Sequence, residues 1–98
     1  MGRSATHVVI TGLGPVCGLG VGLEPFWQAL TAGTSAIRRI DRFETGSFGC
    51  PFASLLPEGF DVRTLVPKSF RKGTKVMARD IEIAVGGALL AVTDAGLK

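Results

Sequence analysis

The sequence predicts an α/β fold, and three observations carry that expectation. Residues 7–11 (His-Val-Val-Ile-Thr) are a short β-branched run that stops at Gly12, the signature of a strand. Residues 25–32 pattern as a short helix. Residues from about 74 or 75 to 95 pattern as a long one, containing ten consecutive residues, 83–92, without a polar side chain.

Each element follows from local chemistry. Val8, Val9 and Ile10 are apolar in succession rather than in alternation, which implies a strand covered on both faces. Gly12, Gly14, Gly18, Gly20 and Gly22 follow with Pro15 among them, so a long irregular turn is expected that needs positive φ or close backbone contacts. Pro25 favours the first position of a helix that runs through Phe26-Trp27-Gln28-Ala29-Leu30 to Ala32, with Gly33 as its stop. Residues 35–48 are mixed and turn-rich, and residues 51–56 read as a second strand, at an edge because of Pro51. Residues 57–73 read as a surface excursion with short helical turns, one opened by Pro67 and the next interrupted by Gly73. In the final helix Ile81, Ala84, Val85, Ala88, Leu89 and Val92 form a helical stripe, while Ile83, Gly87, Leu90 and Ala91 fill the opposite side. A helix apolar all round must be surrounded by protein or lipid. Gly86-Gly87 costs it roughly 1 kcal/mol per glycine relative to alanine; close approach of another backbone is the expected return.

Composition bounds the rest. With 98 residues, 46% hydrophobic and 19% charged, the chain is globular and holds one domain at most. A net charge of +3 is too small to argue for nucleic acid. Two cysteines, Cys17 and Cys50, and one histidine, His7, make neither a disulfide framework nor a zinc site, and a reducing, cytoplasmic setting follows. No segment reaches the roughly 20 apolar residues of a membrane span, and glycines with Pro15 spoil residues 8–23 as a signal-peptide core. Residues 1–6 match the N-myristoylation pattern only formally.

Three constellations invite chemistry. Gly12-Leu13-Gly14-Pro15-Val16 opens a dinucleotide-type G-x-G-x-x-G, but the sixth position is Cys17 and no helix opens behind it, so a structural turn is the better reading. Cys17 as a nucleophile lacks a base linked to it by motif, and a small thiol packed in a turn fits better. Lys68, Arg71, Lys72, Lys75 and Arg79 put five positive charges into twelve residues with no acid between them. On an α-helix, Lys72, Lys75 and Arg79 line one face. Three readings are open for these charges on sequence alone: a solvated helix entrance, a docking patch for an acidic partner, and, with less behind it because only Phe70 among the aromatics interleaves with them, a nucleic-acid surface.

Taken together, the blocks resemble a family. Val8-Val9-Ile10-Thr11-Gly12-Leu13-Gly14, then residues 26–37 (Phe-Trp-Gln-Ala-Leu-Thr-Ala-Gly-Thr-Ser-Ala-Ile), strongly resemble the N-terminus of β-ketoacyl synthases, the 3-oxoacyl-[acyl-carrier-protein] synthases of type II fatty acid and polyketide synthesis. Ile40-Asp41-Arg42-Phe43, Met77 through Val85, and Asp94-Ala95-Gly96-Leu97 continue the match in order. Cys17-Gly18 stands where members commonly have Ser-Pro, and residues 49–67 are only loosely family-like; both bear on subfamily.

The resemblance implies a partial thiolase-like fold: the N-terminal strand, helices and buried central-layer helix of a five-layer αβαβα architecture, incomplete as a domain. It implies a whole enzyme that loads an acyl chain onto a cysteine, decarboxylates malonyl carried on acyl carrier protein and joins the pieces by Claisen condensation, without a cofactor or a metal. The family's nucleophilic cysteine and two histidines correspond to none of Cys17, Cys50 or His7, so this chain holds no catalytic residue and is expected to be inactive alone. Its partners would be acyl carrier protein and the remainder of the synthase, on the same or a separate chain, within a homo- or heterodimer. Members place basic residues before an Arg/Lys-x-Met block against the acidic carrier, and Lys72 and Lys75 match that neighbourhood, with Lys68, Arg71 and Arg79 nearby. This favours the docking reading. The alternatives are a non-catalytic partner of chain-length-factor type and an autonomous small module.

Overall fold

A run of β-branched residues becomes a strand only where a neighbouring strand supplies hydrogen-bond partners. The computed structural model describes residues 5–97, and within them residues 7–11 find no such neighbour. The acylation pattern at residues 1–6 lies mostly outside the described residues. Val8, Val9 and Ile10 are 93%, 73% and 79% exposed, so the buried strand expected from the sequence is corrected to an unpaired, uncovered segment.

The glycine-rich stretch is more regular than its composition implies. β1 (Val16–Cys17) and β2 (Gly20–Val21) pair antiparallel, Val16 opposite Val21 and Cys17 opposite Gly20, so that Gly18-Leu19 is a two-residue hairpin loop. The Gly22 N–H donates to the Pro15 carbonyl at 2.8 Å and closes the base. α1 (Leu23–Thr31) follows, two residues earlier than expected. Pro25 is accommodated as its third residue because N–H groups of the first turn have no intrahelical acceptor to lose.

Both α-helices stop in the same way. Gly33 (φ 73°) and Gly96 (φ 76°) take the left-handed conformation that glycine adopts without a Cβ penalty. The next residues donate back into the helix, Thr34 to the Ala29 carbonyl at 3.0 Å and Leu97 to the Val92 carbonyl at 3.1 Å. Gly33 is thus the stop that the sequence predicts.

Residues 35–48 contain a strand that patterning misses. β3 (Ile37–Arg39) pairs antiparallel with β4 (Phe52–Ser54), Arg38 opposite Ala53. β4 lies within the expected second strand, and in a two-stranded sheet it is an edge.

The stretch expected to be a surface excursion instead supplies the core. Val62 is fully buried and Val66 nearly so. Val62 opens a short 3₁₀ turn (Val62–Thr64), capped by the Asp61 carboxylate, which accepts the Arg63 N–H at 2.9 Å. A longer 3₁₀ helix (Lys68–Val76) begins after Pro67 and passes through Gly73 without interruption. Met77 (ψ 135°) and Ala78 (ψ 163°) are extended, so α2 (Arg79–Asp94) starts later than the periodicity implies.

α2 is the axis on which the two ends of the chain meet. Residues 12–16 run along it so closely that a Cβ added at Gly14 would lie 2.6 Å from the Ala91 nitrogen and nearer still to the Gly87 carbonyl oxygen. One added at Gly12 would lie 2.7 Å from the Ala95 nitrogen. The Leu13 N–H, between the two glycines, donates to the Asp94 carboxylate at 3.0 Å. On another side Gly86 receives the Phe60 ring and Leu65. The expected return on Gly86-Gly87 is therefore present: Gly87 meets the Gly14 carbonyl, and Gly86 meets side chains.

The predicted stripe does not face this packing. Ile81, Ala84, Ala88 and Val92 are exposed, and Gly86 alone among the described residues of α2 is fully buried. Val85 and Leu89, the other two stripe residues, are half-buried, so the helix expected to be buried is covered on its glycine side and largely exposed along its stripe.

The molecule has mixed α/β content in an open form. Its Cα radius of gyration is 17.6 Å, against about 13 Å for a compact chain of this length. Its accessible surface is 7748 Å², roughly 2,400 Å² more than a compact monomer of its mass exposes.

Candidate functional site

The 3₁₀ geometry decides how the basic residues are arrayed. With three residues per turn, residues three apart eclipse and the Lys68–Val76 helix carries three straight ridges. Ser69, Lys72 and Lys75 form one ridge. Lys68, Arg71 and Thr74 form a second, anchored at its end by the buried Thr74, whose hydroxyl donates to the Arg71 carbonyl at 2.6 Å. Phe70, Gly73 and Val76 form the third, with Phe70 65% and Val76 88% exposed.

Lys68, Arg71, Lys72 and Lys75 are all exposed, and among the described residues no carboxylate pairs with any of them. The structure brings these four together on one short helix. It separates Arg79 from them: the extended Met77-Ala78 break intervenes, so Lys72, Lys75 and Arg79 do not share one α-helical face as the sequence implies. Arg79 is also engaged, 3.7 Å from the Glu82 carboxylate and 5.0 Å from the centre of the Phe60 ring. These contacts tie the first turn of α2 to Phe60, in the segment before the core. Phe70 is the one aromatic that the sequence sets among these cations, and an aromatic there is a signal for an interface anchor; Val76 escaped the sequence reading.

The other constellations resolve as structure. Gly12 and Gly14 abut the backbone of α2, and the intervening N–H is taken by a carboxylate, an arrangement that leaves a phosphate neither room nor a favourable charge. Cys17 sits half-buried in the β1–β2 hairpin, His7 lies in the unpaired N-terminal segment, and no hydrogen bond joins them among the described residues. Cys50 is exposed with its thiol 3.6 Å from the Phe52 carbonyl. Among the described residues there is no group of three His, Cys, Asp or Glu placed to hold a metal ion, and no helix is long and apolar enough to cross a membrane.

Among the described residues Asp61 and Arg63 form the tighter of two ion pairs, at 2.8 Å. The Arg63 side chain, and then its backbone N–H, hold the Asp61 carboxyl below its ordinary range, while Asp61 raises Arg63. The pair belongs to the cap of the short 3₁₀ turn rather than to the basic ridges.

Comparison with known proteins gives this geometry a setting. Residues 5–98 match the family model described as the β-ketoacyl synthase N-terminal domain. The chain is 35% identical over 95 residues to 3-oxoacyl-[acyl-carrier-protein] synthase 2 of Vibrio cholerae, covering 97% of this chain and 22% of that protein. It is 40% identical over 92 residues to the protein of the same name from Coxiella burnetii, covering 94% and 21%. Among solved structures it is similar to the ishigamide ketosynthase/chain length factor, with a TM-score of 0.71 and 36% identity over 92% of this chain and 21% of that one. The chain thus spans about a fifth of the length of the relatives it matches.

Proposed function

The chain belongs to the β-ketoacyl synthase family, and on that premise we propose that it is the N-terminal part of a 3-oxoacyl-[acyl-carrier-protein] synthase, cytoplasmic, and that it carries part of the surface on which acyl carrier protein docks. In the whole enzyme a cysteine would accept the acyl chain from its thioester. Malonyl on the carrier would lose carbon dioxide, and the resulting carbanion would attack the enzyme-bound acyl carbon and release the thiolate, in fatty acid or polyketide synthesis. The residues described here perform none of those steps.

The observation that carries the docking reading is the cluster of Lys68, Arg71, Lys72 and Lys75, exposed, unpaired among the described residues and free of intervening acids. Such a field orients an acidic partner and speeds its approach. Arg79 contributes to it at most from the side, because Glu82 offsets its charge.

The surplus surface supports the view that the described residues are one part of a larger fold. An excess of roughly 2,400 Å² is the scale that obligate association removes from one side, about 1,000–2,500 Å². Part of it is apolar: among the described residues Val8, Val9 and Ile10 lack a strand partner, and Ile81, Ala84, Ala88 and Val92 are exposed; a five-layer thiolase-like architecture would cover both. The remainder of the synthase, in the same or another polypeptide, is the partner proposed for both, within a homo- or heterodimer.

The test is charge reversal. Lys72→Glu with Lys75→Glu in the intact protein should weaken binding of acyl carrier protein at least tenfold at low salt and flatten the dependence of affinity on ionic strength. Unchanged affinity at low salt would remove the docking reading. A second reading, a non-catalytic partner of chain-length-factor type, is kept open by the structural neighbour, whose name includes both kinds of subunit. Incubation with acyl carrier protein thioester separates them: a covalent acyl adduct by intact mass marks a synthase, and its absence marks the partner.

A further inference from the structure

The basic ridges account for four exposed cations but not for the third ridge beside them. Phe70 and Val76 are the apolar ends of that ridge and Gly73 is its middle. At about 2 Å of rise per residue, the two side chains stand roughly 12 Å apart with a gap midway. A Cβ built at Gly73 meets no atom within 4 Å, and Gly73 is not among the glycines with positive φ. The gap is therefore imposed neither by backbone conformation nor by crowding. Any side chain would fit there, yet the position is empty, bounded by an aromatic ring and a branched aliphatic group that both face solvent.

We propose that Phe70, Gly73 and Val76 form an apolar notch that receives one apolar side chain from the acidic carrier protein attracted by the adjoining lysines. This rests on the docking reading above and adds the element that charge alone does not supply. Long-range attraction between exposed charges mainly raises the rate of encounter and is screened by salt. A desolvated apolar anchor mainly slows dissociation, and interface energy concentrates at such aromatic-lined positions. The notch and the Ser69-Lys72-Lys75 ridge lie side by side on one helix, so one partner surface can meet both. The complementary surface is thereby specified: carboxylates beside a single protruding aliphatic or thioether side chain.

Gly73 makes the proposal testable without damaging the fold, because filling it meets open space. Gly73→Leu and Phe70→Ala, made in the intact protein, are to be measured against holo acyl carrier protein by surface plasmon resonance across a salt series, beside Lys72→Glu/Lys75→Glu. Thermal midpoints at or above the parent's for Gly73→Leu would establish that its fold is kept. The expected result is a dissociation rate raised at least fivefold by Gly73→Leu and by Phe70→Ala, with the salt slope unchanged, while charge reversal lowers the association rate and flattens that slope. If charge reversal acts as stated but both apolar variants bind within twofold of the parent, the notch is overturned and the docking reading stands. If charge reversal has no effect, the docking reading falls and the notch with it. If the apolar variants alter only self-association in sedimentation velocity, the ridge is a contact between copies and the proposal is overturned.

Discussion

Replacing Gly14 by alanine should be among the most damaging single-methyl additions in the described chain, and the structure says by how much. The new methyl would sit 2.6 Å from the Ala91 nitrogen and closer to the Gly87 carbonyl oxygen, both backbone atoms of α2 that cannot rotate away. Relief requires lifting residues 12–16 off the helix, which also breaks the bond from the Leu13 N–H to Asp94. Overpacking and the lost hydrogen bond together should cost roughly 2–4 kcal/mol. Gly87→Ala faces the same contact from the other side but is milder. Its methyl meets the Gly14 carbonyl oxygen at 3.1 Å, a shift of tenths of an ångström that the gain of about 1 kcal/mol in helix propensity offsets. Gly73→Ala meets nothing and should be neutral or stabilising by up to about 1 kcal/mol. Equilibrium urea unfolding followed by far-ultraviolet circular dichroism ranks the three. A Gly14→Ala protein within about 0.5 kcal/mol of the parent, inside the range of an inconsequential surface change, would refute the claim that backbone proximity is what the glycines supply.

Other outcomes follow from single contacts. Asp94→Ala should speed hydrogen exchange at the Leu13 amide by about fivefold, the loss of a bond of order 1 kcal/mol, as read by NMR; an unchanged rate would mean that Asp94 does not hold the segment. Because the Asp61 carboxyl titrates lower in the folded protein than in the unfolded chain, its contribution is complete above the unfolded carboxylate value and is lost as pH falls through the folded one. Asp61→Asn should therefore flatten the stability profile between about pH 5 and pH 2, and a parent-like slope would argue against the pair. The 98-residue polypeptide by itself should bind an apolar dye through its bare α2 face, with Ile81→Ser and Val92→Ser each lowering the fluorescence. A sharp, cooperative melt without dye binding would instead mark an autonomous module.

How much was legible depended on whether a signal was local. The helices announced themselves through apolar spacing, and Gly33 marked the end of the first, since a left-handed stop is written in a single residue. The start of α2 was misplaced because no proline or glycine marks the extended Met77-Ala78 break; the acidic Asp80 and Glu82, typical of a first helical turn, were the better clue. β3 gave no alternation to read, all three of its residues being exposed. The hairpin was hidden inside what looked like punctuation, although a Gly-x pair between Cys17 and Gly20 suits a two-residue loop. The stripe on α2 had the right period, but period does not say which side is packed; that was decided by the glycines, which admit the other backbone. At the candidate site, charge was visible in the sequence and its arrangement was not. An α-helical reading groups Lys72 and Lys75 with Arg79, whereas a 3₁₀ helix aligns them with Ser69 and opens the Phe70-Gly73-Val76 ridge alongside.

The contact between residues 12–16 and α2 also bears on the time at which this fold can form. The bond from Leu13 to Asp94 spans 81 residues, so its closure waits until the chain between them has been synthesised, about 4–16 s at ordinary translation rates. Throughout that interval Val8, Val9 and Ile10 have no cover, and even afterwards they are not sheltered by it. Residues 12–16 are therefore made well before the helix they pack against, and the apolar residues Val8, Val9 and Ile10 beside them stay uncovered meanwhile. Distant closure of this kind is slow relative to the local turns that precede it, and a chaperone that holds extended apolar segments would find a target at Val8, Val9 and Ile10.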